Sequence, residues 1–298
     1  MAPVVAGRTG AWLLSVRPRT LSAAATPVFV GTGLAAAAGT FRLAPAAAAL
    51  IGALFIQIGT NLANDYYDFV RGGDTEDRVG PVRVTQAGLI APRQVWWGMV
   101  VALVAALVVG VYLVSVGGWP IVWIGLASLV CAVAYTGGPF PLAYHGLGDV
   151  FVFFFFGLVA VGGTYWVQAL DLPQEVLVAG AGVGALNTAI LVANNVRDLD
   201  TDAVAGKRTL AVRLGRTASR TEYVLLMVVG FMVPVLGVAV YGWPRLALLP
   251  LLACFVSLRP VTVVMTESDA SALVPALAGT ARVVALYGLL FGFGLAFG

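Results

Sequence analysis

Two short acidic segments carry residues whose types and spacing could bind a metal ion. They read NLANDYYDF at residues 61–69 and NNVRDLDTD at residues 194–202. Both contain an asparagine followed four residues later by an aspartate, which places the two side chains on one face of a helix. Oxygen donors without accompanying histidine or cysteine favour Mg²⁺ or Ca²⁺ over zinc or copper. The candidate metal ligands are Asn64, Asp65, Asp68 and Asp74 in the first region and Asn194, Asp198 and Asp202 in the second.

Basic residues are interleaved with these acidic ones. Arg78 follows the first acidic region, Arg197 lies inside the second, and Lys207 and Arg208 follow the second. Mg²⁺ commonly completes its coordination shell with phosphate oxygens, and cationic side chains bind the remaining oxygens. The pattern therefore indicates a metal-bridged diphosphate. The excess of Lys and Arg in cytoplasmic loops of membrane proteins is an alternative explanation for the same cations.

A third segment, YTGGPFPLAYHGLGD at residues 135–149, offers aromatic and acidic groups. If a diphosphate leaves an allylic carbon, the resulting cation needs a dry pocket with aromatic faces nearby. Tyr135 is the candidate for that role. Asp149 could accept a proton from a phenol or could cap a helix, and the sequence leaves both roles open.

Membrane-spanning helices must position these residues. The chain has 298 residues, of which 60% are hydrophobic and 10% are charged, whereas a soluble domain carries about 25% charged residues. A span needs about 20 apolar residues, and backbone groups that face lipid must bond within a helix. We therefore expect one transmembrane domain over residues 1–298. The nine predicted spans are 20–38, 44–67, 94–115, 119–136, 147–168, 175–196, 222–241, 244–258 and 281–297.

The distribution of positive charge predicts the orientation. With a cytoplasmic N-terminus, 15 of the 17 Lys and Arg residues fall in predicted cytoplasmic segments, and Arg42 and Arg245 fall outside. Cytoplasmic loops are enriched in these residues, so we expect the C-terminus outside. The net charge of +3 then reflects topology rather than affinity for nucleic acid. Four spans separate the two acidic regions, which suggests a duplicated four-helix unit with both regions on the cytoplasmic face.

Taken together, NLANDYYDFVRGGD, YTGGPFPLAYHGLGD and NNVRDLDTDAVAGKRTLAVRLG resemble motifs of the intramembrane aromatic prenyltransferases, the UbiA-type superfamily. RPRTL at residues 17–21 and QAGLIAPRQV at residues 86–95 look like the subgroup that uses 1,4-dihydroxy-2-naphthoate in menaquinone biosynthesis. The similarity runs from about residue 11 to about residue 215. The six-residue gap between Asp68 and Asp74 also resembles that subgroup.

The resemblance implies an all-α membrane protein of nine transmembrane helices around a central cavity, with polar loops capping its cytoplasmic side. It implies Mg²⁺ as cofactor, a polyprenyl diphosphate as donor and the naphthoate as acceptor, prenylated with loss of CO₂ to give a demethylmenaquinol in the cell membrane. One alternative is another aromatic acceptor, such as 4-hydroxybenzoate. A second is an ion transporter with acidic sites at helix ends, although transport sites lie near the membrane midplane.

Overall fold

The computed structural model describes residues 7–73, 79–80 and 82–298, and this part of the chain contains helices and no β-strand. Eight helical segments are long and apolar enough to cross a membrane, and a shorter apolar helix of 16 residues makes a ninth candidate. The helices are α1 (Arg8–Val16), α2 (Leu21–Ala37), α3 (Leu43–Val70), α4 (Pro92–Gly117), α5 (Trp119–Ala134), α6 (Gly148–Phe153), α7 (Ala160–Ala169), α8 (Gln174–Arg197), α9 (Leu199–Val204), α10 (Leu210–Val240), α11 (Ala253–Thr266) and α12 (Ala270–Phe297).

The predicted all-helical, nine-span architecture is confirmed, and the larger errors concern two helix starts. α10 begins at Leu210 rather than at 222, and α12 begins at Ala270 rather than at 281. Arg282, which is one of the 15 residues counted as cytoplasmic although it opens the predicted span 281–297, lies inside α12. Hydropathy marks the apolar part of a helix and not its hydrogen-bonded ends, and a long arginine side chain can reach a polar layer from within a span.

α8 is the central helix of the bundle. It packs against α10, α12 and the segment that joins α6 to α7. Small residues permit this close packing: a Cβ added at Gly157 would lie 2.6 Å from the carbonyl oxygen of Gly180 and 2.6 Å from Cα of Gly184. Gly157 belongs to a π-helical stretch, Phe154–Val159, that joins α6 to α7. This wider helical turn fits the point where the two helices touch backbone to backbone.

All three predicted functional segments lie at the same end of the bundle. α3, α5 and α8 end there, whereas α4, α6 and α10 begin there. We call this end of the bundle the motif end. Its connecting segments carry residues that contact one another across the bundle. The opposite end, which holds the connections from α2 to α3 and from α7 to α8, is the far end.

Candidate active site

Asp68, in the last turn of α3, is the centre of the polar cluster at the motif end. Its side chain is buried, with 3% of the residue exposed. One carboxylate oxygen accepts a hydrogen bond from the Tyr144 hydroxyl at 2.9 Å and lies 3.2 Å from Nζ of Lys207. The other oxygen accepts from a guanidinium nitrogen of Arg83 at 3.1 Å. Three loops of the chain therefore meet at one carboxylate.

The chain turns away from α3 at Gly73, directly beside this cluster. The Gly73 N–H donates to the carbonyl oxygen of Asp68 at 2.8 Å. A Cβ on Gly73 would overlap the Tyr144 hydroxyl and would lie 2.8 Å from Cε of Lys207. A side chain at this position would therefore displace the two groups that bind Asp68.

Lys207 connects the two acidic regions. Its Nζ lies 3.2 Å from Asp68 and 4.0 Å from Asp202, and it sits 5.0 Å from the ring centroid of Tyr144. The Lys207 N–H also donates to the carbonyl oxygen of Asp202 at 2.9 Å. This backbone hydrogen bond helps to position Lys207 so that its ammonium group lies between the first and second acidic regions.

The end of α8 is organised by Arg197. Its Nε and one terminal nitrogen bind the two carboxylate oxygens of Asp198 at 2.6 Å each, and the same terminal nitrogen donates to Asn194 at 2.7 Å. Arg197 is 2% exposed. The sequence suggested that Arg197 binds a diphosphate, but here its guanidinium orients Asn194 and Asp198 and is not among the described residues that line the cavity.

A single cavity of about 910 Å³ joins these groups. At the motif end it is lined by oxygen donors from both acidic regions, by two tyrosines and by four cations, Arg17, Arg19, Arg83 and Lys207. Its remaining wall consists mainly of apolar residues from α2, α3, α4, α5, α7 and α12. The polar residues that line it include Asn64, Asp68, Arg83, Tyr135, Tyr144, Asn194, Asp198, Asp202 and Lys207.

The oxygen donors fit a hard divalent cation. Three carboxylates and two amides from the predicted ligand set line the same cavity. In the described part of the chain no three Asp, Glu, His or Cys side chains form a cluster of their own. Mg²⁺ typically takes one or two protein carboxylates and fills its shell with water and phosphate oxygens. Asp74 and Arg78, also predicted for the site, lie outside the described residues.

Asp65 is placed differently from its neighbours in the sequence. It is 1% exposed and is not among the described residues that line the cavity. The backbone amides of Val84 and Thr85 donate hydrogen bonds to its carboxylate, and the positive charge of Arg17 attracts it. One helical residue turns the chain by about 100°, so Asp65 lies at the edge of the stripe that Asn64 and Asp68 share.

Tyr135 lies on the cavity wall, whereas Asp149 is not among the described lining residues. Burial raises the pKa of the Tyr135 phenol well above its usual range, and the charges of Asp149, Asp68 and Asp202 raise it further. The phenol therefore stays neutral. Asp149 is 5% exposed, and neither of its carboxylate oxygens has a hydrogen-bond partner among the described residues.

Arg83 and Tyr144 contact the central carboxylate but were not among the predicted site residues. Arg83 comes from the loop between α3 and α4, where the sequence offers no periodicity to locate it. Tyr144 lies in a short 3₁₀ turn, Leu142–His145, inside the third motif. Arg208, a predicted diphosphate ligand, donates its backbone N–H to the Tyr144 carbonyl at 3.1 Å and is not among the described lining residues.

The family described as the UbiA prenyltransferase family matches residues 24–278. The chain is 37% identical to a 1,4-dihydroxy-2-naphthoate octaprenyltransferase of Escherichia coli (strain K12), over 97% of this chain and 96% of the relative. It is 39% identical to the protein of the same description from Mycobacterium tuberculosis, over 96% of this chain and 97% of the relative.

Solved structures share the fold. A UbiA homolog from Archaeoglobus fulgidus bound to GPP and Mg²⁺ aligns with a TM-score of 0.65 at 15% identity, over 96% of this chain and 99% of that one. A UbiA homolog from Aeropyrum pernix K1 aligns with a TM-score of 0.62 at 14% identity, over 91% and 96%.

Proposed function

Because this chain belongs to the UbiA prenyltransferase family, we propose that it transfers a polyprenyl group from a polyprenyl diphosphate to 1,4-dihydroxy-2-naphthoate, releasing CO₂ and forming a demethylmenaquinol. The names of the relatives support this choice of acceptor. The observation that carries the proposal is the cavity, which joins a cluster of oxygen donors and cations to a long apolar interior. A diphosphate with a hydrocarbon tail matches both parts.

The motif end would bind the diphosphate. Bound Mg²⁺ would neutralise charge on the diphosphate oxygens and so favour their departure; its candidate ligands are Asn64, Asp68, Asn194, Asp198 and Asp202. Lys207 and Arg83 line the cavity within hydrogen-bond reach of Asp68. Both can also bind phosphate oxygens, since a cation beside a carboxylate can share its remaining N–H groups with a second anion.

The interior of the cavity would protect the reacting carbon. When the C–O bond of the donor breaks, its electron pair leaves with the diphosphate and positive charge develops on the allylic carbon. Tyr135, Phe151 and Phe155 line the cavity, and an aromatic face presented to the carbon can stabilise this charge. The apolar wall keeps water away, which prevents hydrolysis of the reactive carbon.

The acceptor attacks through the ring carbon that carries the carboxylate. The new C–C bond forms with the prenyl carbon, the bond to the carboxylate breaks, and its electron pair returns to the ring as CO₂ leaves. No proton is removed overall. The buried position of Asp149 fits this balance, because no base is then required. An acceptor attacked at a carbon that carries hydrogen would need one.

We also propose that the motif end faces the cytoplasm and that the protein resides in the cell membrane. The N-terminus would then be cytoplasmic and the C-terminus external. The excess of Lys and Arg in connections at the motif end supports this orientation.

The experiment is product formation by the protein in nanodiscs. It receives a polyprenyl diphosphate with either 1,4-dihydroxy-2-naphthoate or 4-hydroxybenzoate, in Mg²⁺ or in EDTA. We expect prenylated naphthoquinol and CO₂ from the first acceptor alone, and only with Mg²⁺. Product formed only with 4-hydroxybenzoate would support the prenyltransferase activity but reject 1,4-dihydroxy-2-naphthoate as the acceptor. Folded protein that is inactive with both acceptors would reject the proposed function.

A further inference from the structure

The connection between α3 and α4 contains a compact turn that carries Arg83. We call residues 83–90 the α3–α4 turn. The backbone N–H groups of Leu89 and Ile90 both donate to the carbonyl oxygen of Val84, at 2.9 and 3.3 Å. These hydrogen bonds close the turn on itself. Arg83 is therefore carried by a compact segment, and its position in the cavity depends on how that segment is held against the helices.

Apolar packing attaches the α3–α4 turn to the bundle. Val84 is fully buried and belongs to an apolar cluster that includes Ala11 of α1 and Leu62 and Ala63 of α3. Hydrophobic contacts of this kind have no preferred direction. They keep the turn against α3, but they do not by themselves fix where its backbone lies along the helix.

Asp65 supplies the directional contact. Its buried carboxylate accepts hydrogen bonds from the backbone N–H groups of Val84 and Thr85. Asp68, one helical turn further along α3, accepts from the guanidinium of Arg83 at 3.1 Å. Hydrogen bonds to an ionised acceptor are roughly twice as strong as those between neutral groups. Two carboxylates of α3 thus hold the backbone and the side chain of the same short segment.

We propose that Asp65 is a positioning residue, which fixes the backbone of the α3–α4 turn so that the guanidinium of Arg83 reaches both Asp68 and the diphosphate of the donor. This inference rests on the proposed function. Arg83 is among the described residues that line the cavity and Asp65 is not, so Asp65 acts on the donor through the turn. Arg17 is the other possible route, because its charge attracts Asp65 and it lines the same cavity.

The test is a double-mutant cycle between Asp65→Asn and Arg83→Gln, with steady-state kinetics for both substrates. We expect Asp65→Asn alone to lower kcat/KM for the polyprenyl diphosphate by about tenfold, as for outer residues that orient a binding group. KM for the donor should rise, and KM for 1,4-dihydroxy-2-naphthoate should stay within about twofold. In the Arg83→Gln background the same substitution should cost less than about twofold, because residues that act as a unit are not additive.

Two further variants make the cycle specific. In an Arg17→Gln background, Asp65→Asn should still cost about tenfold, because the proposed route does not pass through Arg17. The matched control is Asp171→Asn, at an exposed aspartate of the far end whose carboxylate also accepts a backbone N–H, that of Leu172 at 2.8 Å. Its activity should remain within about twofold of wild type.

A full tenfold loss that persists in Arg83→Gln, or that disappears in Arg17→Gln, would overturn the inference. An equal rise of both KM values would also overturn it, because it would indicate a general distortion of the cavity. Wild-type protein that is inactive with both acceptors would instead overturn the proposed function, and the inference with it.

A second measurement does not require activity. Amide hydrogen exchange in a peptide that covers the α3–α4 turn should be faster in Asp65→Asn than in wild type, whereas peptides from α8 should exchange at the same rate in both. Unchanged exchange in the turn would show that Asp65 does not hold it. Faster exchange throughout the protein would show general destabilisation and would likewise reject the positioning role.

Discussion

At the residue scale, Asp68 is the group whose loss should affect donor binding most. Asp68→Asn keeps the size of the side chain but removes the charge that pairs with Lys207 and Arg83. We expect kcat/KM for the donor to fall by about 100-fold or more, since even outer partners of metal ligands cost 10- to about 100-fold. The Mg²⁺ concentration for half-maximal activity should rise as well.

Asp200→Asn is the matched control for that substitution. Asp200 lies inside the second acidic region, between Asp198 and Asp202, but its side chain is 80% exposed and pairs with Arg216 at 2.8 Å. Exposed ion pairs contribute about 0 to 1 kcal/mol, so activity should remain within about twofold of wild type. Equal losses in the two variants would show that the Asp68 effect is not specific to the cavity.

Tyr135 should act as a neutral aromatic group at every pH in normal use. Its raised pKa means that the folded protein keeps the phenol protonated where an exposed tyrosine would ionise, so any destabilisation from Tyr135 begins only above about pH 10. The profiles of kcat/KM against pH for wild type and Tyr135→Phe should therefore be parallel up to about pH 10. An alkaline decline present in wild type and absent from the variant would contradict this role.

The ring of Tyr135 should matter more than its hydroxyl. Tyr135→Leu is expected to lower kcat by roughly tenfold, as for loss of a cation–π contact in a dry site, and Tyr135→Phe by less.

The sequence could predict that Asn64 and Asp68 share one face of α3 and that Asn194 and Asp198 share one face at the end of α8, because helical spacing relates the members of each pair; both pairs line the cavity. It could not predict that Asp65 faces the backbone of Val84 and Thr85, because that contact comes from a loop. Arg83 was missed for the same reason. Loop geometry decides which of several nearby arginines reaches the carboxylate, and no periodicity in the sequence encodes it.

At the scale of helices, the contact between Gly157 and α8 should be a determinant of stability. Gly157→Ala would place a methyl group 2.6 Å from the Gly180 carbonyl oxygen, so the helices must separate. Overpacking of this kind costs about 1–3 kcal/mol. We expect a lower midpoint of thermal unfolding in detergent. Gly110→Ala, with no described atom within 4 Å of the new methyl group, should leave the midpoint unchanged or slightly higher.

The helices themselves were largely predictable, and their ends were not. Apolar runs located the spans from α2 to α8 within a few residues of the structure. The start of α10 was missed because Leu210–Arg220 is rich in arginine although it is helical, and Gly215, at φ 82°, interrupts it. Helical hydrogen bonds continue where hydropathy falls, so polarity alone ends a predicted span too early.

At the scale of the whole molecule, the proposed orientation can be measured by cysteine labelling. Cys131 and Cys254 are first replaced by alanine, and a single cysteine is then introduced at Asp171, in the far-end connection, or at Ser268, in a motif-end connection. Both positions are exposed. A membrane-impermeant maleimide should label Asp171→Cys in intact cells and should label Ser268→Cys only after permeabilisation. The reverse pattern would place the motif end outside.

The shortness of α5 has a consequence for the surrounding bilayer. Its 16 residues span about 24 Å, less than the roughly 30 Å of an average hydrocarbon core, and the exposed Trp119 and Trp123 mark its far end. Such hydrophobic mismatch is relieved when lipids beside the helix compress, at a cost of a fraction of a kcal/mol per Å. Turnover of a long-tailed donor should therefore be faster in nanodiscs of short-chain lipids than in those of long-chain lipids. Membrane thickness would act as a regulator of this enzyme, independent of substrate concentration.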